Sequence, residues 1–166
     1  MATKRGHVNT VARASFGHYL RQANRLCQRD LGTRVARLGL SVGQSYALRA
    51  LWERDGLTQI ELADAAGIAG PAMVTAVRTL LSQGFVSRQR PKDDKHKYII
   101  TLTDEDRTLR VEGLRASVES NSRALDGVSS NDVRIALGVL HRVRKNSNGA
   151  LVDHLALSKV DLLIGP

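Results

Sequence analysis

The stretch that decides the fold reads Leu57-Thr58-Gln59-Ile60-Glu61-Leu62-Ala63-Asp64-Ala65-Ala66-Gly67-Ile68-Ala69-Gly70-Pro71-Ala72-Met73-Val74-Thr75-Ala76-Val77-Arg78-Thr79-Leu80-Leu81-Ser82-Gln83-Gly84 and runs on to Thr103. Thr58 and Glu61 have capping-box spacing: the hydroxyl accepts from a free backbone N–H and the carboxylate reaches back to the cap. They open a short helix, and Gly67 ends it because glycine tolerates positive φ. Pro71 suits the first turn of the next helix, where a missing N–H costs nothing. That helix is expected from about Gly70 to Gln83. At ~100° per residue, Met73, Val74, Val77, Leu80 and Leu81 share one side. Ala72, Thr75, Thr79 and Ser82 lie opposite, with Arg78 on the flank as the helix's single cation. A solvated face usually carries long charged side chains; small ones let a helix approach another surface closely.

Phe85-Val86-Ser87-Arg88 and Tyr98-Ile99-Ile100-Thr101-Leu102 then read as two strands. Between them, Asp93 and Asp94 suit a hairpin tip. From Ser87 to Lys97 there are five Lys and Arg against these two acids, so the hairpin is basic. Two helices joined by a tight turn and followed by a basic hairpin make a winged helix-turn-helix.

Working outward, Ser41 and Gln44 repeat the capping spacing and open a helix to about Arg54 that buries Ala47, Leu48, Leu51 and Trp52; Asp55-Gly56 stops it. Upstream, Phe16, Leu20, Ala23, Cys27, Leu31, Val35 and Leu38 recur every three or four residues, which predicts a helix over about 10–38. Gly32 allows a break there. Downstream, Thr103 and Asp106 cap a long helix towards Leu125, with Leu109, Leu114, Val118 and Leu125 as its core positions. Ser129 and Asp132 cap a further helix whose stripe is Val133, Ala136, Leu137, Leu140 and Val143, ended by Asn146 to Gly149. A short helix is expected around Leu151 to Val160. The fold class is mainly α with a small β-wing, in one domain over residues 1–166. The winged lobe spans about 41–103, flanking helices about 10–38 and 104–148, and a tail 149–166.

The totals narrow the function. The chain has 166 residues and a formal net charge of +9, so acidic partners are favoured and nucleic acid leads. Up to residue 40, eight Lys and Arg face a single acid, Asp30. Aromatics make up 4%, too few for a single-strand stacking platform. One cysteine, Cys27, leaves no internal disulfide and no cysteine-rich zinc site. The basic start from Met1 to Gly6 has no apolar run behind it, and no stretch is long enough to span a bilayer. A cytoplasmic protein is expected, with no membrane partner. No phosphate-cradling Gly loop, nucleophile elbow, metal spacing or isolated carboxylate pair argues for an enzyme. His7, His18, His96, His141 and His154 are scattered, so neither cofactor nor metal is expected.

The order of elements, with Leu57-Thr58-Gln59, Glu61-Leu62-Ala63, Gly67-Ile68, Gly84-Phe85-Val86-Ser87-Arg88 and Leu102-Thr103, resembles the MarR family of bacterial transcription regulators over roughly Phe16 to Ser147. The Gly70-Pro71-Ala72-Met73-Val74 entry is most similar to the SlyA-like branch. Two departures bear on the operator. An Asp-Arg-Arg triplet is usual at the wing tip, and Asp94-Lys95-His96 stands there. The SlyA-like recognition helix has Arg at the Thr75 position and Ser at the Ala72 position.

The resemblance implies a homodimer, joined through both chain ends, that binds double-stranded DNA. Arg78 is expected to contact a base or phosphate, and Thr75 and Thr79 to give hydrogen bonds or thymine-methyl contacts. Gly70 and Ala72 permit the close approach, and Thr58 and Gln59 present a helix N-terminus to phosphate. Arg88, Arg90, Lys92, Lys95, His96 and Lys97 follow the backbone or minor groove. It also implies a small-molecule effector between dimer helices and DNA-binding lobe. His18, Tyr19, Gln22, Arg25, Tyr46 and Trp52 are the candidates, and Arg21, Arg25 and Arg29 suit an anionic ligand such as an aromatic acid or its coenzyme A thioester. Against this, the arginines also read as a solvated face and the aromatics as core packing. The family's peroxide-sensing cysteine lies nearer Gly17, so Cys27 reads as buried packing. A constitutive or architectural DNA-binding protein without effector is the alternative function.

Overall fold

A computed structural model describes residues 3–90 and 97–147, with side chains from residue 15 onward except at 106–108. It falls into two units, Met1–Ser120 and Asn121–Pro166. The first holds the expected lobe. Its elements are α1 (Thr3–Val35), a 3₁₀ turn (Ala36–Leu38), α2 (Val42–Glu53), β1 (Leu57–Thr58), α3 (Gln59–Ala66), α4 (Gly70–Ser82), β2 (Val86–Gln89), β3 (Ile99–Leu102) and α5 (Asp106–Ala124), whose last turn belongs to the second unit. The second unit also carries α6 (Ser130–Ser147).

Both predicted capping boxes form. The Ser41 hydroxyl accepts from the Gln44 N–H at 3.2 Å, and the Gln44 side chain accepts from the Ser41 N–H at 2.8 Å. Thr58 and Glu61 do the same at 3.3 and 2.8 Å. Gly67 closes α3 in the left-handed region, φ +64°, and Pro71 sits in the first turn of α4. Ser129 accepts from the Asp132 N–H at 3.1 Å to start α6. Gly32 does not break α1. A Cβ there would lie 3.2 Å from Val42 Cγ2, so its small size admits α2 instead.

The core sits where α2, α3 and α4 meet the sheet. Leu48, Leu51, Leu57, Leu62, Met73, Leu80 and Ile100 are fully buried there, and Val35 reaches in from the end of α1. Burying each such side chain is worth roughly 1.5–3 kcal/mol. The wing carries a third strand that the sequence pattern hides. β1 pairs antiparallel with β3 (Leu57 with Ile100, Thr58 with Ile99), and β3 pairs with β2 (Val86 with Leu102, Arg88 with Ile100), giving the order β1-β3-β2. Asp55 Oδ1 accepts from the Leu102 N–H at 3.0 Å, so the turn after α2 also holds the end of the wing.

Several expected core positions are exposed. Leu114 and Val118 on α5 and Leu125 just past its end lie open, while Leu109, Gly113, Ala116 and Ser120 are the buried positions among the described residues of α5. Val74 is 41% exposed because it stands at the edge of the apolar arc of α4, and Ala76 is buried in its stead. Trp52 is half-buried. On α1 the stripe is exposed at Phe16, Leu20, Ala23 and Cys27, and among the described residues only Leu31 and Val35 join the core, so Cys27 is not the buried packing residue expected. In the second unit α6 has no buried residue. The expected helix around 151–160 lies outside the described residues. Among the described residues no single helix is long and apolar enough to cross a membrane.

Candidate nucleic-acid interface

α4 turns Gly70, Pro71, Ala72, Thr75, Arg78, Thr79 and Ser82 outward while Met73, Ala76, Val77 and Leu80 hold it to the core. Each outward hydroxyl donates back into its own helix: Thr75 to the Pro71 carbonyl at 3.3 Å, Thr79 to Thr75 at 3.2 Å, Ser82 to Thr79 at 2.8 Å. The donors are therefore occupied. What this face offers a partner is methyl groups, oxygen lone pairs and the Arg78 guanidinium. Ala69, at the N-cap, makes no side-chain cap hydrogen bond. Anions are favoured at such an end, where backbone N–H groups and the helix dipole add.

The preceding helix is arranged differently. The Thr58 N–H and hydroxyl both donate to Glu61 Oε2, at 2.8 and 2.7 Å, so the N–H expected to face phosphate is committed to the cap. Those two bonds hold the Glu61 carboxyl below the usual carboxylate range, with smaller help from Arg54 and Lys97. Gln59 follows, half-buried, and Ile60 is 77% exposed.

At the base of the wing, Arg88 and Arg90 are exposed and gather on one side chain, Tyr98. The Arg88 guanidinium carbon stands 3.7 Å and that of Arg90 4.6 Å from the ring centre, and Arg90 also donates to the Tyr98 hydroxyl. The pattern of charge in the sequence singles out the arginines, whereas the tyrosine reads there only as a strand residue. Lys97, next to Tyr98 in the chain, is exposed too. Lys92, Lys95 and His96 lie outside the described residues.

The pattern of the MarR family matches residues 40–98, which is this lobe from just after the 3₁₀ turn to the residue before β3. The chain is also 31% identical over 111 residues to YdgJ of Bacillus subtilis, an HTH-type transcriptional regulator, covering 66% of this chain and 67% of that protein. This chain belongs to the MarR family. Among solved structures, a MarR transcriptional regulator from Methanosarcina mazei shares the fold with a TM-score of 0.73 at 23% identity, over 82% of this chain and 98% of that one. BpsR of Bordetella bronchiseptica, whose DNA binding is regulated by 6-hydroxynicotinic acid, shares it with a TM-score of 0.69 at 20% identity, over 81% and 99%. As a MarR-family protein the chain is a DNA-binding transcriptional regulator and not an enzyme.

The residues expected at an effector site are less gathered. His18, Tyr19, Gln22 and Arg25 are exposed on α1. His18 hydrogen-bonds Gln22 at 2.9 Å and meets the Tyr19 ring edge-on with centres 5.7 Å apart. Tyr19 also lies on an open apolar patch of α1 with Ser15, Phe16, Leu20 and Ala23. Tyr46 and Trp52, on α2, are half-buried. Burial pushes the Tyr46 phenol up, and the nearby Cys27 adds to the shift.

Proposed function

We propose that this regulator is a cytoplasmic homodimeric repressor of a palindromic operator, released by a small anionic or aromatic ligand. The observation that carries the DNA-reading half is the outward face of α4, whose only charge is Arg78 and whose hydroxyl donors turn back into the helix. Methyls and lone pairs complement thymine methyls and the amino groups of adenine or cytosine in the major groove, and Arg78 supplies a guanine or phosphate contact. Gly70 and Ala72 leave room for the backbone to approach. Arg88, Arg90 and Lys97, with Lys92, Lys95 and His96 at the tip, neutralise phosphate. Thr58 acts through the cap of α3, and Gln59 lies next to it.

One such lobe spans few base pairs, so a dyad is needed, with half-sites ~10 base pairs or a multiple apart. Exposed Phe16, Leu20 and Leu26 on α1, and Ile135, Leu137 and Leu140 on α6, support an interface made from both chain ends. The apolar patch around Tyr19, with exposed Arg21 and Arg25 on the same helix, supports an anionic aromatic effector, and BpsR offers a precedent of that chemistry in the same fold. His18, Gln22, Tyr46 and Trp52 complete the proposed binding set.

Light scattering tests the dimer. Fluorescence anisotropy against a duplex selected from a randomised pool tests the reading of DNA. Affinity should fall steeply between low and moderate salt. Adding aromatic acids or acyl-CoA thioesters should raise the melting temperature and release the duplex. A monomer, or a protein that ignores duplex DNA in dilute buffer, would overturn the proposal. Failure of every such ligand would leave the constitutive alternative.

A further inference from the structure

Tyr98 has no place in the reading above, yet the two described arginines of the wing base converge on it. The register explains why. Arg88 lies opposite Ile100, so Arg88, Arg90 and Tyr98 share the sheet face of Val86 and Ile100. Val86 and Ile100 are buried in the core, and the three side chains continue that face beyond it. A ring there is half-buried, while both arginines are exposed. The guanidinium carbons sit 3.7 and 4.6 Å from the ring centre, inside the ~6 Å reach of a cation–π contact.

A guanidinium that stacks uses its flat face and keeps its in-plane N–H donors for another partner. Stacking therefore holds the Arg88 side chain still without consuming the donors that phosphate requires, and Arg90, which gives one donor to the Tyr98 hydroxyl, keeps its others. It also keeps two like charges close together, which unbraced arginines resist.

Resting on the proposed wing contact with DNA, we infer that Tyr98 is a positioning residue that pre-orders Arg88 and Arg90 for the phosphate backbone. Immobilising a long side chain on binding costs about 0.5–1.5 kcal/mol. An arginine already held by the ring avoids much of that cost, corresponding to about two- to ten-fold in affinity per arginine.

The test uses the full-length protein and the selected duplex, read by anisotropy across a salt series. Tyr98→Leu should weaken binding by about four-fold or more, while the slope of log affinity against log salt stays that of wild type, because both charges remain. Tyr98→Phe keeps the ring and should recover most of the loss, giving up only the Arg90 hydrogen bond. Arg88→Ala/Arg90→Ala should flatten the salt slope by about two. Adding Tyr98→Leu to that double variant should then change nothing further.

A Tyr98→Leu protein that binds as wild type overturns the inference. So does an equal additional loss in the double-alanine background, since that marks damage to the wing rather than to the arginines. If Tyr98→Leu fails to fold, Tyr98→Phe decides together with Tyr98→Met: both binding alike refutes a role for the ring. If the double-alanine variant keeps wild-type affinity and slope, the arginines do not meet phosphate, and this inference falls while DNA reading by α4 stands. If wild type binds no duplex, the underlying function has failed instead.

Discussion

Replacing Gly113 by alanine sets two effects of known size against each other. Gly113 is a buried interior position of α5. In an ordinary helix the change gains about 1 kcal/mol, because glycine loses more backbone freedom on folding. Here the new Cβ would stand 2.7 Å from Trp52 Cη2, 3.3 Å from Cζ3 and 3.7 Å from Cζ2. Carbon atoms prefer about 3.5–4.0 Å, so the overlap with the ring edge approaches ~1 Å. Overpacking of that kind costs typically about 1–3 kcal/mol. The clash should win by roughly 1 kcal/mol and lower the melting temperature by about 2–4 °C in a chain of this length. The second variant decides the cause. In a Trp52→Leu background the ring edge is gone, so Gly113→Ala should raise the melting temperature by about the same amount. Thermal melts followed by circular dichroism at one fixed protein concentration provide the comparison. An equal drop in both backgrounds, or a gain in wild type, would show that Trp52 does not set the need for glycine.

Four further outcomes follow from the same structure. Arg78→Ala should weaken binding to the selected duplex by about 1–3 kcal/mol if the guanidinium reads a base, and by a sequence-independent loss with a shallower salt slope if it meets phosphate; unchanged affinity removes it from the interface. Leu137→Asp or Leu140→Asp should give a folded monomer in light scattering, and a persisting dimer would refute the α6 interface. Gln44 is 5% exposed, caps α2 and donates to Gln83 Oε1 at 2.7 Å, while Gln83 donates to the Gly39 carbonyl at 3.2 Å. Gln44→Met keeps the volume but strands these partners, and should cost about 1–3 kcal/mol in urea unfolding. Glu61 has a folded-state pKa below its unfolded value, so its contribution is present above the unfolded pKa and fades as pH falls through the folded one. Between neutral pH and pH ~3, wild type should therefore lose more stability than Glu61→Gln; equal losses would mean the cap bond does not depend on charge.

The legible parts of this fold are the ones whose causes lie within a few residues. Both capping boxes, the Gly67 stop and Pro71 at the start of α4 each need only neighbours three or four positions away, and all are found where the sequence places them. β1 is invisible for the opposite reason. Leu57-Thr58 is two residues long, and its partner, Ile99-Ile100, comes some forty positions later, so only tertiary pairing makes it a strand. Tyr98 is hidden in the same way: its closeness to Arg88 is a product of register across a hairpin. Periodicity fails differently. It marks an apolar face on α1 correctly but cannot say what lies opposite. Leu31 and Val35 at the end of the helix meet the chain's own core, and Phe16, Leu20, Leu26 and Cys27, one to five turns earlier, do not. A helix of 33 residues is about 50 Å long, more than one small lobe covers. The same stripe thus serves two ends at once, anchoring in its own lobe at the C-terminal end and leaving apolar side chains for another surface along the rest. A homodimer of the kind proposed, holding two DNA-reading lobes at a fixed spacing, would need that division of labour: exposed Leu20 fits the interface expected of the stripe, and Cys27, exposed rather than buried as expected, lies on the same stripe.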